Sequence, residues 1–364
     1  MKLGVVFGGQ SYEHEVSIIS AIALRKALKN EDVAFIFCDK DRRFFLIEPK
    51  NMVAPYFKSA GYKGGSSGGG STGLGYSVMP SEFKKSKELQ ISNGGFYLNG
   101  MFSKDKLPVD VYINLIHGCD GEDGKIASLF DFFGIKYIGP RIEASVLTYN
   151  KILTKNLAAL AGVKTINYAI VKRNSLATFK YPLILKPARL GSSIGIGVVN
   201  NSRELDLAMD KAFELDDTAI VEPYVANIKE YNLAGCKIDG KIVYSNIEEP
   251  MKKEFLDFNQ KYMDFSRTEK VEPAVIGQSV QDNMKEAFHK IYNTGGFDGA
   301  LIRCDFFVIN NEVYLNEINP CPGSMANYLF NNFSEVIKNL ANSLPLSREI
   351  PVTYDLIDKL TAIK

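Results

Sequence analysis

The chain has 364 residues, 46% of them hydrophobic, and 43 basic side chains against 42 acidic ones leave a formal net charge of +1. That length suits two or three lobes with sizeable cores, and the near-balanced charge argues against a broad electrostatic surface for nucleic acid or anionic lipid. No apolar run reaches the roughly 18 residues of a membrane span, and five dispersed cysteines without a Cys-x-x-Cys pair read as buried thiols in a reducing compartment rather than a disulfide frame or zinc site, so a cytoplasmic protein is expected.

The first stretch alternates strands and helices. Leu3–Phe7 reads as a buried strand broken by Gly8-Gly9, Ser17–Leu28 as a helix with a broad apolar stripe, and Val33–Cys38 and Val109–Ile116 as strands. Lys125–Phe133 is helical in pattern, and Lys136–Ile138 opens a short strand closed by Gly139-Pro140. This alternation predicts a parallel sheet covered on both faces. Residues 61–75 are low in complexity and rich in Gly and Ser; no Lys-Ser/Thr follows, so they are not a P-loop and read as a mobile surface loop.

A second lobe is expected from 144 to 222, after a first lobe of 1–143. Ala144–Ala161 reads as one helix with Lys151 near its centre, followed by strands at Ile166–Val171, Leu183–Lys186, Ile196–Val199 and Ala219–Val221 and a helix, Ser202–Phe213, opened by a serine cap. The third lobe, 223–364, carries strands at Glu230–Ile238 and Lys241–Ile247, a helix at Val280–Tyr292 and a strand pair within 300–318. An irregular stretch of nearly twenty residues, 250–268, has the length of a lid.

Lys186 ends an apolar strand. Taken alone it reads as a snorkelling lysine, but Gly191-Ser192-Ser193-x-Gly195 follows, whose backbone N–H groups and hydroxyls suit an anion. Glu222 ends another strand before Pro223-Tyr224-Val225, either as a plain linker or as an extended edge able to bond adenine. In the late strand pair, side-chain alternation sets Arg303 with Asp305 and Glu317 with Asn319. A two-residue turn at Asn310-Asn311 would pair Glu317 with Cys304 and part the carboxylates; a three-residue loop, Asn310-Asn311-Glu312, sets Asp305 across from Glu317 and is the expected register. Two carboxylates and an amide on one face suit Mg²⁺ carrying phosphate oxygens, and the Gly323 N–H after a sharp bend suits an oxyanion. His117 closes a strand in His117-Gly118-Cys119-Asp120-Gly121-Glu122-Asp123-Gly124, either as a structural turn residue or as a donor to an acyl phosphate. Glu13 and Glu15 precede a helix and favour its dipole or hold a substrate ammonium.

The chain resembles the D-alanine–D-alanine ligase family of the ATP-grasp superfamily. The resemblance lies in Gly8-Gly9-x-Ser11-x-Glu13-x-Glu15-Val16-Ser17, His117-Gly118-x-x-Gly121-Glu122-Asp123-Gly124, Lys186-Pro187-x-x-x-Gly191-Ser192-Ser193-x-Gly195, Lys261-Tyr262, Arg303-x-Asp305 and Asn316-Glu317-x-Asn319-x-x-Pro322-Gly323, in the family's order along nearly the whole chain. It implies an α/β fold with α+β lobes: an ATP-grasp fold behind an N-terminal parallel-sheet substrate domain. The implied roles are Lys151 and Lys186 at ATP phosphates, Glu222, Pro223, Val225 and Glu230 at adenine and ribose, and Ser193 and Lys261 as further contacts to ATP. Asp305, Glu317 and Asn319 are implied to hold two Mg²⁺ or Mn²⁺ ions. Glu13, with Ser192 and Tyr262, is implied to take the first D-alanine, with His117 near the transferred phosphoryl group and Arg303 and Gly323 at the oxyanion. The implied reaction joins two D-alanines through an acyl phosphate, yielding ADP and phosphate for peptidoglycan precursors, and the family suggests a homodimer. D-lactate or D-serine as acceptor, and a regulatory ATP-binding protein, are the rival readings; Lys261-Tyr262 favours D-alanine. Where common members place a serine for the second substrate's carboxylate, this chain has Tyr328, so Ser324, Asn327 or Tyr328 is expected to take that contact.

Overall fold

The computed structural model describes residues 1–59, 86–99, 104–173, 180–250, 267–346 and 350–361. The Gly/Ser tract at 61–75, Lys261, Tyr262 and nearly all of the expected lid lie outside the described residues. The first sheet is centred on β1 (Lys2–Gly8), which pairs in parallel with β2 (Asp32–Cys38). From β2 an antiparallel meander extends through β3 (Phe44–Ile47), β4 (Lys87–Ser92), β5 (Gly95–Asn99) and β6 (Lys104–Lys106). On the other side of β1 come β7 (Val111–Asn114) and β8 (Tyr137–Ile138), both parallel. The expected parallel sheet is therefore the half that carries β1; the other half is antiparallel. Leu3, Val5, Val6 and Phe7 are all buried, the continuous apolar run of a strand covered on both faces. Helix α1 (His14–Ala27) buries Ile18, Ala21 and Leu24, in a core shared with Met325, Leu329 and Phe330 near the far end of the chain. Helices α2 (Ala54–Ser59) and α3 (Lys125–Phe132) complete this lobe.

The helix expected over Ala144–Ala161 is two helices, α4 (Ile142–Tyr149) and α5 (Lys151–Leu160). Asn150 leaves the helical region at φ −106°, ψ 116°, and its side chain caps α5 by accepting from the Ile152 N–H. Lys151 thus stands at the start of a helix, not at the centre of one. A four-stranded antiparallel sheet follows in the order β11-β10-β12-β9, from β9 (Ala169–Lys172), β10 (Leu183–Pro187), β11 (Gly197–Val199) and β12 (Thr218–Pro223). Helix α6 (Ser202–Phe213) packs on it; the cap is Asn201 rather than Ser202, accepting from the Glu204 N–H at 3.1 Å.

The third sheet runs β14-β13-β15-β16, from β13 (Lys229–Ile238), β14 (Lys241–Glu248), β15 (Leu301–Ile309) and β16 (Glu312–Asn319). Helix α7 (Gln278–Thr294) covers one face, burying Met284, Phe288 and Ile291 against Leu233, Ile302, Cys304, Phe306, Leu315 and Ile318. A buried turn at Gly323–Leu329, α8 (Phe333–Asn342) and α9 (Asp355–Thr361) follow.

The β15–β16 hairpin has the expected register by an unexpected route. Its loop is two residues, Asn310 and Asn311, both left-handed at φ 51° and 65°, with Ile309 paired to Glu312. Continued unbroken, that turn would set Glu317 against Cys304. Between the Phe306–Leu315 and Asp305–Glu317 pairs the register shifts by one, so that Asn316 is an extra residue in β16. This bulge restores Asp305 opposite Glu317 and Arg303 opposite Asn319.

Candidate active site

Three groups of side chains line up where the sheets meet. The first surrounds Glu13, at the N-terminus of α1. Its carboxylate is buried and accepts a 2.5 Å hydrogen bond from the Ser192 hydroxyl, 179 residues away. Two glycines make room: a Cβ on Gly118 would lie 2.7 Å from Glu13 Oε2, and one on Gly191 would lie 2.8 Å from Oε1. Burial, aided by the neighbouring Glu122 charge, holds the Glu13 pKa above its ordinary value, against the pull of the Ser192 hydroxyl. His117 lies beside it, with Nε2 3.0 Å from the Ser20 hydroxyl and Nδ1 3.6 Å from Glu122 Oε1. Burial lowers the His117 pKa to about 4 and raises that of Glu122 to about 8. At neutral pH the imidazole is therefore uncharged and faces a largely protonated carboxyl group. Lys151 Nζ donates to the Leu190 carbonyl at 2.5 Å, tying the start of α5 to the Gly/Ser loop. In that loop Ser192 and Ser193 take φ of 52° and 59°.

The second group is built on β10 and β12. Lys186 Nζ lies 2.6 Å from Glu222 Oε2, and Lys155 Nζ lies 2.6 Å from Glu222 Oε1; all three side chains are at least nine-tenths buried. Burial by itself raises the Glu222 pKa, but the two ammonium groups outweigh it and hold the carboxylate below its ordinary value. Lys186 also donates to Asn316 Oδ1 at 3.2 Å, so the bulge in β16 reaches across to the second sheet. Pro223 ends β12, and Val225 just beyond it is exposed.

The third group is a polar row across the face of the third sheet opposite α7. Glu248, Asn232, Asp305 and Glu317 are successive cross-strand partners on β14, β13, β15 and β16. Glu230 lies on the same face, two residues along β13 from Asn232. Arg303 holds Asp305 in a two-point grip, Nε to Oδ1 at 2.6 Å and Nη2 to Oδ2 at 2.7 Å, and Asn319 Nδ2 donates to Oδ2 at 3.0 Å. Burial pushes the Asp305 pKa up to about 7 against the pull of Arg303, with Glu317 and Glu230 adding to the rise. Among the described residues no three His, Cys, Asp or Glu side chains form a preassembled metal seat. Arg303 and Asn319 nitrogens occupy the Asp305 carboxylate, but the groups on either side of it in the row offer oxygens: the Glu317 carboxylate, and Asn232 Oδ1, which lies directly across from Asp305 and is buried without a partner. Such a set fits a hard divalent cation such as Mg²⁺.

The turn Gly323–Leu329 closes the site. Ser324, Met325 and Ala326 are all left-handed, at φ 52°, 54° and 48°. Asn327 Nδ2 donates to the Ser324 carbonyl at 3.0 Å and the Arg267 carbonyl at 3.3 Å, and Lys270 donates to the Asn327 carbonyl at 3.1 Å. Arg303 Nη1 donates to the Tyr328 hydroxyl at 3.4 Å, while the Arg267 guanidinium lies 4.9 Å above the Tyr328 ring and is paired with Glu248 at 2.6 Å. The structure thus brings Glu13 to Ser192, Lys186 to Glu222, and Arg303, Asp305 and Asn319 together.

Comparison with known proteins decides the family. A model described as "D-ala D-ala ligase N-terminus" matches residues 2–140, and one described as "D-ala D-ala ligase C-terminus" matches residues 157–339. The chain belongs to the D-alanine–D-alanine ligase family. Relatives named D-alanine–D-alanine ligase include one from Campylobacter concisus, 54% identical over 100% of this chain and 99% of the relative, and one from Wolinella succinogenes, 49% identical over the same shares. The crystal structure of a D-alanine–D-alanine ligase from Helicobacter pylori superposes with a TM-score of 0.80 at 43% identity, over 96% of this chain and 100% of that one. The VanG D-Ala:D-Ser ligase of Enterococcus faecalis is more distant, with a TM-score of 0.69 at 25% identity over 94% and 97% of the two chains.

Within the ligase fold, sequence reasoning gave no role to Lys155, Asn316 or Arg267. Lys155 stands four residues after Lys151 on α5, the spacing that puts both on one helix face. Asn316 had a signal too: the buried apolar positions of β16 step from Leu315 to Ile318, three apart where a regular strand needs two.

Proposed function

We infer that this ligase condenses two D-alanines into D-alanyl-D-alanine with conversion of ATP to ADP and phosphate, a step in peptidoglycan precursor synthesis. The observation that carries the reading is the Ser192–Glu13 hydrogen bond of 2.5 Å, which places an acceptor for a substrate ammonium against the loop that follows Lys186. Glu13 receives the ammonium of the first D-alanine, whose incoming charge offsets the cost of ionising a buried carboxyl. Lys151, Lys186 and Ser193 take the triphosphate; Glu222, Pro223, Val225 and Glu230 frame adenine and ribose. A carboxylate oxygen of the first D-alanine attacks the γ-phosphorus, ADP departs, and an acyl phosphate remains. Neutral His117 lies beside the transferred group without adding a charge. The amine of the second D-alanine then attacks the acyl carbonyl. The C–N bond forms, the C–O bond to phosphate breaks, and the amine proton leaves with the products. Arg303 and the Gly323 N–H stabilise the oxyanion.

Asp305, Glu317 and Asn319 would hold two Mg²⁺ or Mn²⁺ ions, which when bound neutralise charge on the phosphate oxygens. Lys261 and Tyr262 keep the roles given by resemblance, Lys261 toward ATP and Tyr262 toward the first D-alanine. For the second substrate's carboxylate we assign the Tyr328 hydroxyl, with Ser324 and Asn327 shaping the turn around it, because the Asn327 amide already bonds two backbone carbonyls. The first lobe, 1–143, then serves the first substrate, and the lobes 144–222 and 223–364 enclose the nucleotide. The protein acts in the cytoplasm as a homodimer, a state that sedimentation would test. Relatives 43% to 54% identical carry the D-alanine name, which favours D-alanine over D-serine or D-lactate as acceptor. A coupled assay tests the whole reading: ADP and phosphate release should require D-alanine. Release without any amino acid, release of AMP, or equal turnover with D-serine would overturn it.

A further inference from the structure

Lys155 has no place in the chemistry above, yet it is as buried as the groups that do. Its ammonium is 2.6 Å from Glu222 Oε1 and donates to the Ile166 carbonyl at 3.0 Å. The Tyr168 ring lies 5.0 Å away. Glu222 is shared between Lys155 and Lys186, one carboxylate oxygen to each. Two cations and one anion give the cluster a net charge of +1. Without Lys155, should Lys186 turn to a phosphate, Glu222 would be left as a lone buried carboxylate, a costly state.

We propose that Lys155 is a positioning residue for nucleotide binding: it keeps Glu222 neutralised and in place, so that Lys186 can leave that carboxylate for the triphosphate. The inference rests on the reading of Lys186 as a phosphate clamp. Asn316 fits the same picture, since its 3.2 Å contact is weak enough to release the lysine while keeping it aimed toward the third sheet. Burial lowers the Lys155 pKa, with the nearby Lys186 charge adding to the fall, against the upward pull of Glu222.

The test is steady-state kinetics of the full-length enzyme with Mg·ATP and D-alanine, on Lys155→Met, Lys155→Gln and Lys155→Arg. The two uncharged variants should raise KM for ATP about tenfold or more, leaving kcat at saturating ATP within about threefold and KM for D-alanine unchanged; Lys155→Arg should recover most of the loss. The decisive measurement adds Glu222→Gln. With no carboxylate to strand, Lys155→Met should change KM for ATP by less than about twofold in that background. Two results overturn the proposal: an unchanged KM for ATP with only a lowered Tm, or the same penalty with and without the Glu222 charge. If Lys155→Met fails to fold, Lys155→Gln carries the comparison. Lys186→Ala separates the underlying reading, because unaltered ATP binding in that variant sinks the phosphate clamp itself whatever Lys155 does.

Discussion

Asp305 stands directly across β15–β16 from Glu317, and it does so because β16 carries one residue too many at Asn316. The two-residue turn alone would have turned Glu317 toward Cys304, on the face packed under α7. Deleting Asn316 removes only the extra residue, so Glu317 should stay across from Asp305 in a regular ladder; the fold and ligation should persist, with KM for ATP rising a few-fold through loss of the Lys186 contact. Asn316→Ala keeps the bulge and should retain the fold, with KM for ATP rising a few-fold. A folded deletion variant with ligation abolished would refute the register account.

The Ser192–Glu13 hydrogen bond yields a second expectation. Ser192→Ala should weaken the first D-alanine by roughly 10- to 100-fold in KM, the range of a hydrogen bond to a charged group, with KM for ATP nearly unchanged. Glu13→Gln should act in the same direction and more strongly. Equal effects on both substrates would show that the contact only joins the lobes.

His117 and Glu122 set opposite pH trends. The His117 pKa falls from 6.5 to about 4 on folding, so its contribution is present above pH 6.5 and is lost as the pH drops toward 4. The Glu122 pKa rises from 4.5 to about 8, so its contribution is present below pH 4.5 and is lost as the pH climbs toward 8. His117→Gln should flatten the acid limb of a stability–pH curve by up to about 3 kcal/mol, and Glu122→Gln should flatten the limb between pH 4.5 and 8. Chemical denaturation across that range checks both; an acid limb unchanged in His117→Gln would remove the histidine from it.

Tyr328 offers a fourth. Tyr328→Phe removes the hydroxyl assigned to the second substrate's carboxylate, together with a 3.4 Å bond from Arg303, and should raise KM for the second D-alanine about tenfold or more. Tyr328→Ser empties a buried ring volume beneath Arg267 and should cost about 3 kcal/mol of stability as well. A thermal melt paired with acceptor kinetics separates the two effects.

The elements most legible in the sequence were those whose chemistry is local. Gly191 and Gly118 announce close backbone approach, and the structure shows Glu13 packed against both. Asn310-Asn311 announces a tight turn, and one is present, shorter than expected. What escaped depends on partners distant in sequence. The antiparallel meander β3–β6 lacks the long apolar runs of β1, although the Asn93-Gly94 turn between β4 and β5 is a hairpin signal. The break at Asn150 was hidden because apolar periodicity continues through it; only the cap geometry divides α4 from α5. Lys155 drew no role because nothing local shows that Glu222 waits on β12.

The turn after Gly323 narrows the routes by which this enzyme can drift toward other acceptors. Three successive L-residues in a left-handed arc cost on the order of 1 kcal/mol each, held there by Lys270, Asn327 and dense packing. A β-branched replacement at Ser324, Met325 or Ala326 would add to that load, and glycine would ease it while emptying a filled interior. Evolution is left to rewrite side chains at the rim, Arg267 and Tyr328, and keep the arc itself.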